Sequence, residues 1–312
     1  MISGRLLCLG EPLVEFSDAG DGSWRSGIGG DVSNVAIAAA RQGADAAMLA
    51  RLGDDAFGAM IRQVWDDEGV DHRHVAAVTG AETGLYFITY RDGAHHFEYR
   101  RAHSAAAQMQ PQDLPEEAFA GAGVLHLSGI SQAISASAHA AADRAVALAR
   151  QSGAKISYDP NLRLKLWPLE RARAAAEATI AQADIVLPGY EDARQLTGLD
   201  RPEDILSHYR SLGAGLVAMT MGGQGVLVSF DQEVQHFSAP KVQEVDASGA
   251  GDCFDGAFLA QVLQGRGVPE AAQYATAAAA LSVTRYGAAL SVPTAQEVKA
   301  AFPDHVVPGC RA

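Results

Sequence analysis

The residues best suited to chemistry in this sequence lie at positions 246–252, which read Asp-Ala-Ser-Gly-Ala-Gly-Asp. Gly249 and Gly251 allow a tight turn that exposes successive backbone N–H groups. Apolar residues at helical spacing follow, so a helix is predicted to begin at this turn. Unpaired N–H groups and the dipole at the start of a helix stabilise an anion, such as a phosphoryl group in transfer. Asp252 could act there as a base or could simply cap the helix, and the residues alone favour neither role.

Other common motifs for nucleotide or metal chemistry do not occur. The sequence has no G-x-x-x-x-G-K-[ST] run, no H-E-x-x-H and no C-x-x-C. Residues 213–218 fit a loose dinucleotide fingerprint, but they lead into a predicted strand instead of following one. We therefore expect neither a P-loop nor a dinucleotide site, and no zinc site.

The elements that must position the 246–252 run follow a regular order. Short apolar runs alternate with longer alanine-rich stretches of helical period, which is typical of a mostly parallel sheet covered by helices. This pattern predicts a doubly wound α/β fold in a single domain over residues 1–312. The predicted strands are 6–10, 46–52, 124–128, 155–159, 184–188, 216–220 and 225–230. The predicted helices are 33–42, 56–69, 135–152, 170–182, 202–212 and 269–284.

Two segments break this alternation, at about residues 13–29 and 85–101. In the second, two aromatic-rich runs flank a turn at residues 91–93. Both segments predict strands of a separate small sheet inserted into the core. Such a sheet could close over a substrate as a lid and exclude water, although two surface hairpins with no role would produce the same pattern.

The composition restricts the partners. The net charge is −13 at pH 7, so the surface would repel nucleic acid and anionic lipid, and a small-molecule substrate is favoured. Cys8, Cys253 and Cys310 suit no disulfide framework and indicate a reducing compartment. The N-terminus has no signal-peptide layout, and no apolar run approaches the ~20 residues of a membrane span. We expect a cytoplasmic protein that binds neither membrane nor nucleic acid, and we also expect a homo-oligomer.

Three motifs, in this order along the chain, resemble the ribokinase-like (PfkB) sugar kinases. They are Gly29-Gly30 with Asn34, the Gly-Asp-Asp-x-x-Gly spacing at 53–58, and the glycine-rich run at 246–252. Single motifs of this kind are weak, but their ordered combination spans nearly the whole chain. The resemblance implies an α/β core with a β-sheet lid, a sugar beneath the lid, and ATP along the C-terminal half of the sheet edge.

The same resemblance implies roles for the glycine-rich run. Asp252 would be the base that activates a sugar hydroxyl, and Gly249, Ala250 and Gly251 would offer N–H groups to the transferring phosphoryl group. The implied cofactors are ATP and Mg²⁺, and a monovalent cation such as K⁺ is a further candidate.

Further motifs resemble the 2-keto-3-deoxygluconate kinases in particular, at residues 10–12, 83–86, 127–130 and 159–167. The substrate of this branch is a sugar acid, and a guanidinium can hold its carboxylate in a two-pronged contact. Arg163, just beyond a predicted strand at the ligand-binding edge, is the first candidate for that contact. Arg100 in the lid is the second, although either arginine could be a plain surface charge. The implied sugar site comprises Gly29, Gly30, Asp31, Asn34, Tyr86, Tyr99, Arg100, Ile130 and Arg163.

The nucleotide side departs from the family pattern at one point. Many relatives carry Asn-x-x-Glu after the strand that ends at residue 188, whereas this chain has Gly189 and Asp192. Asp192 keeps the negative charge and is expected to contact Mg²⁺ through water. The implied nucleotide site comprises Asp159, Asn161, Thr220, Gly222, Gly225, Gly249, Gly251 and Thr276.

The activity implied by the resemblance is phosphoryl transfer from ATP to 2-keto-3-deoxygluconate, which gives 2-keto-3-deoxy-6-phosphogluconate. A kinase of a neutral ketose such as fructose would use the same core machinery, and Arg163 separates the two hypotheses because a neutral sugar offers it no carboxylate. A non-catalytic sugar-acid sensor is a third hypothesis. The presence of Asp252 argues against a sensor.

Overall fold

The computed structural model describes residues 2–91 and 94–305. Cys310 and residues 92–93 of the predicted lid turn lie outside this range. The strands are β1 Arg5–Leu9, β2 Leu13–Asp18, β3 Trp24–Gly29, β4 Ala46–Leu49, β5 Arg51–Gly53, β6 Ala76–Val78, β7 Leu85–Arg91, β8 Ala94–Arg100, β9 Ala122–Ser128, β10 Lys155–Asp159, β11 Ile185–Val186, β12 Leu216–Thr220, β13 Val226–Phe230 and β14 Glu233–Phe237. The helices are α1 Asp31–Arg41, α2 Ala56–Glu68, α3 Gly129–Ala133, α4 Ala136–Ser152, α5 Leu169–Ile180, α6 Tyr190–Thr197, α7 Pro202–Leu212, α8 Ala250–Leu263, α9 Val268–Ser282 and α10 Ala295–Ala301.

The largest sheet in the described part of the chain has eight strands in the order β14-β13-β12-β11-β10-β9-β1-β4. Its pairings from β4 across to β12 are parallel, and β13 and β14 complete one edge in antiparallel fashion. Parallel strands all end at the same edge of a sheet, which is where open α/β folds bind ligands. The predicted, mostly parallel α/β sheet is confirmed.

Both faces of this sheet are covered by helices. Side chains alternate along β1, so Leu6 and Cys8 face one core with α1, α8 and α9, while Leu7 and Leu9 face a second core with α4, α5 and α7. Two fully buried faces explain why the strands read as continuous apolar runs. The doubly wound arrangement is therefore confirmed.

The second sheet is the predicted small one. It has four strands in the order β3-β2-β7-β8, built from the two segments that break the α/β alternation. β2 pairs with β3 and β7 with β8 as antiparallel hairpins, and the parallel pairing of β2 with β7 joins them. β2 follows directly after β1, so this sheet, called the lid below, begins at the ligand-binding edge of the large sheet.

Some elements differ from the prediction. The run at 46–52 is not one strand, because it divides at Ala50 into β4, which pairs with β1, and β5, which pairs with β6. The predicted strand at 184–188 is only Ile185–Val186. Five elements were not predicted, namely β6, β14, α3, α6 and α10. All five are short, and α6 is mostly polar, which weakens any periodic signal.

Two smaller findings bear on the composition. Cys8 and Cys253 are buried free thiols, and burial raises the pKa of both. None of the helices in residues 2–91 and 94–305 combines the length and hydropathy needed to cross a membrane.

Candidate active site

A cavity of about 1010 Å³ lies between the carboxyl edge of the large sheet and the lid. Its walls come from widely separated parts of the chain, which only the fold brings together. Most of the residues selected from the sequence line it: Gly30, Asp31, Asn34, Tyr86, Tyr99, Ile130, Asp159, Asn161, Arg163, Asp192, Thr220, Gly249, Ala250, Gly251 and Asp252.

The glycine turn starts α8 at the cavity wall. Gly249 is the N-cap of the helix, with a φ of 72° that favours glycine, and a Cβ there would press on Ala288. The Ala250 N–H already donates to the carbonyl of Ala247 at 3.2 Å, which corrects its expected role as an anion donor. Within the described residues, the N–H groups of Gly249, Gly251 and Asp252 make no hydrogen bond. Unpaired N–H groups at the start of a helix are suited to binding an anion.

Asp252 is the third residue of α8, so it is not the helix cap. Its Oδ2 accepts a hydrogen bond of 2.7 Å from Nδ2 of Asn34. Burial raises the pKa of Asp252 to about 7, and the charge of Asp31 acts in the same direction, whereas the Asn34 bond and Arg163 oppose the shift. A carboxyl group with a pKa near neutrality is well matched to general-base work.

The start of α1 depends on two glycines at close contacts. A Cβ on Gly29 would collide with the hydroxyl of Tyr86, and a Cβ on Gly30 would collide with the carbonyl of Glu11. Gly30 also has a φ of 97°, which favours glycine. Gly29 itself does not line the cavity; it lets the lid approach the helix that carries Asp31.

Hydrogen bonds at the end of β10 hold another part of the cavity wall in place. Asp159 Oδ1 accepts from the Asn161 N–H at 3.0 Å, and Asn161 Nδ2 donates to Oδ2 of Asp31 at 3.0 Å. Asn161 adopts a φ of 33°, which is unusual for a residue other than glycine. Burial, followed by the charge of Asp192, raises the pKa of Asp159 well above its ordinary value.

The two predicted guanidinium groups lie in different surroundings. Arg163 lines the cavity with 48% of its side chain exposed, and its Nη1 lies 3.7 Å from Oδ2 of Asp192. Arg100 is 61% exposed, pairs with Glu98, and does not line the cavity. Side chains alternate along a strand, so Arg100 and the preceding Tyr99 project to opposite faces of the lid. The placement of Arg100 in the sugar site is therefore corrected.

Arg101 occupies the cavity wall in its place. Its side chain is 10% exposed, it forms an ion pair with the fully buried Glu11, and its guanidinium lies 5.2 Å from the centroid of the Tyr99 ring. Ser104 fixes Glu11 by donating to Oε1 at 2.7 Å. The sequence did carry a signal for Arg101, because it lies two positions after Tyr99, the spacing of one strand face.

Glu15 is a second lining residue that the sequence analysis did not select. It is buried on β2, and it accepts hydrogen bonds from the Tyr86 hydroxyl and, at 2.8 Å, from the Ser17 hydroxyl. Burial and Glu15 together raise the pKa of Tyr86 well above its ordinary value. Since its proton is directed at Glu15, the Tyr86 oxygen presents lone pairs to the cavity.

The expected nucleotide residues divide into two groups. Thr220 lines the main cavity, and together with Gly222 it also lines an adjoining cavity of about 600 Å³. Gly225 and Thr276 line neither. Gly225 packs against the backbone at Phe237, and Thr276 is buried in α9, where its hydroxyl donates back to the Ala272 carbonyl. Gly225 therefore lies in a turn and Thr276 in the interior of a helix, and neither lines a cavity.

Asp192 is the candidate for a metal contact. Its Oδ2 accepts from the Leu162 N–H at 2.9 Å, which leaves Oδ1 for a metal-bound water. Across residues 2–91 and 94–305, no three or more His, Cys, Asp or Glu side chains lie close enough together to hold a metal ion. This donor set fits Mg²⁺, because Mg²⁺ in nucleotide sites is held by one or two carboxylates with phosphate oxygens and water.

A buried carboxyl group with a near-neutral pKa, beside unpaired N–H groups at a helix start and beneath a small β-sheet, is an arrangement suited to phosphoryl transfer. Residues 6–295 match the profile of the pfkB family carbohydrate kinases, and the chain belongs to that family. It is therefore a sugar kinase.

Individual relatives agree on the family and differ in substrate. The chain is 36% identical to fructokinase-1 of Oryza sativa subsp. japonica, over 94% of this chain and 96% of that protein. It is 32% identical to 2-dehydro-3-deoxygluconokinase of Thermoproteus tenax, over 94% and 93% of the two chains. An E. coli protein described as a ribokinase II, solved in complex with ATP and Mg²⁺, superposes with a TM-score of 0.89 at 28% identity, covering 97% of this chain and 100% of that one. The predicted ribokinase-like fold is confirmed.

Proposed function

We propose that this enzyme transfers the γ-phosphoryl group of ATP to the terminal hydroxyl of 2-keto-3-deoxygluconate. The observation that carries the proposal is the presence of two guanidinium groups in the cavity that Tyr99 of the lid also lines. The Arg101 guanidinium lies 5.2 Å from the centroid of the Tyr99 ring. Burial raises the pKa of Tyr99, and the charges of Arg101 and Arg163 both oppose that shift. A carboxylate held between them would be recognised by charge and by directed N–H donors.

Arg101 has one donor to spare for such a ligand. Within the described residues its buried Nε has no hydrogen-bond acceptor, whereas its Nη2 is in contact with Oε2 of Glu11. Buried donors without an acceptor are rare in native proteins and costly. An oxygen atom of a bound sugar acid would satisfy the Nε donor.

The chemical step follows from the residues around Asp252. The ionised carboxylate takes the proton of the sugar hydroxyl as its oxygen forms a bond to the γ-phosphorus, and the bond from that phosphorus to the β-phosphate bridging oxygen breaks to release ADP. The free N–H groups of Gly249, Gly251 and Asp252 stabilise the negative charge on the phosphoryl oxygens. When bound, Mg²⁺ neutralises phosphate charge on the side of Asp192.

The lid orients the sugar and keeps water out. The Tyr86 oxygen, whose proton is directed at Glu15, can accept a hydrogen bond from a sugar hydroxyl. A carboxylate at Arg101 and a hydroxyl at Tyr86 would together direct the far end of the substrate toward Asp252. Exclusion of water by the lid limits the transfer of the phosphoryl group to water.

A neutral ketose such as fructose is the second candidate substrate. The fructokinase of Oryza sativa is more similar in sequence than the deoxygluconate kinase of Thermoproteus tenax. The cavity is also rich in carboxylates, including Glu15 and Asp31, which suit the hydroxyl donors of a neutral sugar.

A coupled assay of ADP release separates the two substrates. Wild type, Arg101→Ala and the control Arg100→Ala are each assayed with 2-keto-3-deoxygluconate and with fructose. We expect wild type to prefer the sugar acid, and Arg101→Ala to lower its kcat/KM by about 10²-fold, since a buried charged partner is lost. Arg100→Ala, one position away but outside the cavity, should differ from wild type by less than about twofold. A wild-type preference for fructose would refute the sugar-acid proposal and leave the kinase assignment in place.

A further inference from the structure

A second carboxyl group of α8 lies in the floor of the same cavity. Asp255 is one helical turn after Asp252, lines the cavity, and is only 2% exposed. Within the described residues its side chain forms neither a hydrogen bond nor an ion pair. A carboxylate in such a position would be a buried charge without a partner, which is strongly unfavourable.

The groups around Asp255 make its ionisation still less favourable. The charges that act on it are the carboxylates of Asp159 at the end of β10, Asp252 on its own helix, and Asp31 at the start of α1. The neighbouring titratable group Cys253 is a buried thiol whose pKa burial raises. Of the cations that line the cavity, Arg163 acts on Asp252 and is shared with Asp192, Arg101 is paired with Glu11, and Lys165 is not among the groups that act on Asp255.

Ionisation of all four carboxyl groups at once is strongly unfavourable, because no cation of the cavity offsets the repulsion at Asp255. In the part of the chain that the structure describes, these carboxyls are not grouped closely enough for a metal ion. A retained proton can therefore relieve the repulsion, and Asp255 is the group with the least solvent and no partner. Burial, followed by Asp159, Asp252 and Asp31, raises the pKa of Asp255 well above its ordinary value, in keeping with this assignment.

We propose that Asp255 is a positioning residue of the phosphoryl transfer, which keeps its proton while Asp252 is ionised and so holds a neutral group beneath the transferring phosphoryl. The inference rests on the proposed role of Asp252 as the base. Ionisation of Asp255 at alkaline pH would place a negative charge below the phosphates and next to the base. Turnover should then fall, so the alkaline side of the pH profile reports on Asp255.

The first test is the pH profile of kcat/KM for the sugar, from about pH 5.5 to about pH 9.5, in wild type, Asp255→Asn and the control Asp67→Asn on the exposed face of α2. Asn resembles the protonated carboxyl and cannot ionise. We expect Asp255→Asn to extend the plateau to higher pH, with the acid limb moved by less than about 0.3 units, and Asp67→Asn to follow wild type. An unchanged alkaline limb would overturn the inference. A fall of about one unit in the acid limb would do so too, because it would mean that Asp255 is charged when Asp252 titrates.

Thermal unfolding gives a second reading that does not depend on turnover. A carboxyl with a raised folded pKa stabilises the fold below its unfolded pKa, and that contribution is lost as the pH rises through the folded pKa. The Tm gain of Asp255→Asn over wild type should therefore grow with pH and keep growing above pH 7, after Asp252 has ionised. A gain that stops below pH 7 would contradict the proposal. Asp255→Ala, uncharged and smaller, serves for both measurements if the amide does not fit.

The base role of Asp252 and the positioning role of Asp255 can be refuted separately. Wild-type turnover in Asp252→Asn would overturn the base role of Asp252 and with it the positioning role of Asp255. A strong loss in Asp252→Asn together with an unaltered profile in Asp255→Asn would overturn the inference about Asp255 alone.

Discussion

The side-chain amide of Asn34 donates a 2.7 Å hydrogen bond to Oδ2 of Asp252 and so joins the first turn of α1 to the first turn of α8. The two residues are 218 positions apart in sequence. The bond favours the ionised carboxylate and partly offsets the effect of burial on the pKa of Asp252. It also holds one carboxylate oxygen in place, which leaves the other for the sugar hydroxyl.

Removal of this bond should make Asp252 harder to ionise. In Asn34→Ala we expect the acid limb of the kcat/KM profile to move up from about pH 7, by about one unit. Asn34→Asp, which adds a like charge, should move it further. The profiles are measured with saturating ATP. A limb at the wild-type position in both variants would mean that Asn34 does not act on the base.

Replacement of the base itself should affect turnover more than binding. Asp252→Asn is nearly isosteric but cannot take a proton, so kcat should fall by about 10²- to 10⁴-fold. The KM for ATP should change by less than about threefold, because uniform binding is preserved. Steady-state kinetics on the folded variant measure both quantities, and near-wild-type kcat would refute the base role.

The same substitution should stabilise the fold in a defined pH range. The folded pKa of Asp252 is raised from 3.8 to about 7, so wild type loses stability as the pH rises across that interval. Asp252→Asn has no such dependence, and at pH 8 it should be more stable than wild type by on the order of 2 kcal/mol. Denaturant unfolding at pH 4 and pH 8 tests this. If the free energy of unfolding differed between the variant and wild type by the same amount at pH 4 and at pH 8, the raised pKa of Asp252 would be contradicted.

The two glycines of the turn should respond in opposite ways to an added methyl group. A Cβ on Gly251 meets no atom within 4 Å, so it would project into the open cavity. Gly251→Ala should keep or raise stability by up to about 1 kcal/mol, since alanine favours the helix, while it lowers activity by obstructing the phosphates. Gly249→Ala should lose stability because of its φ of 72° and the contact with Ala288. Equal loss of stability in both would contradict this distinction.

Arg163 should contribute less than Arg101 because it is half exposed. We expect Arg163→Ala to lower kcat/KM for the sugar acid by about tenfold, a value reduced by solvent screening. Arg163→Lys should recover part of that loss, since a point charge cannot reproduce a two-pronged contact. The KM for ATP is the internal control. If the KM for ATP changed more than the kcat/KM for the sugar acid, Arg163 would be assigned to nucleotide binding instead.

The sequence predicts the location of the site better than its detailed lining. Parallel strands end at one edge, so the loops after β1, β9 and β10 had to meet there, and Asp159, Ile130 and Arg163 do line one cavity. The glycine run at the start of α8 could be placed for the same reason. The choice of Asp159 and Ile130 came from the resemblance to the sugar kinases, and strand order explains why these residues meet at one edge.

The residues of the lid and of the nucleotide side were harder to predict. Which side chains point into the cavity depends on the exact register of a strand, where a shift of one residue reverses the face, and on packing against distant parts of the chain. Arg100 is the last residue of β8 and Arg101 is the next residue, yet Arg100 forms an exposed ion pair and Arg101 lines the cavity. Thr276 lies on a helix whose buried face was not evident from the sequence, since α9 is alanine-rich on nearly all sides. Asp255 is one helical turn after Asp252, but the sequence does not show that it also meets Asp159 and Asp31, which come from β10 and α1.

The junction at Gly29 and Gly30 has a consequence for how this enzyme could change its substrate. β3 of the lid runs through these two glycines directly into α1, which carries Asp31 and Asn34. A substitution that tilts the lid to admit another sugar would also turn the start of α1 and so disturb the partner of the base. Specificity and turnover are therefore mechanically linked, and paired substitutions in the lid and in α1 should show strong epistasis, whereas exposed positions on α4 should combine additively. Laboratory evolution toward new sugars would then proceed through compensating pairs across this junction.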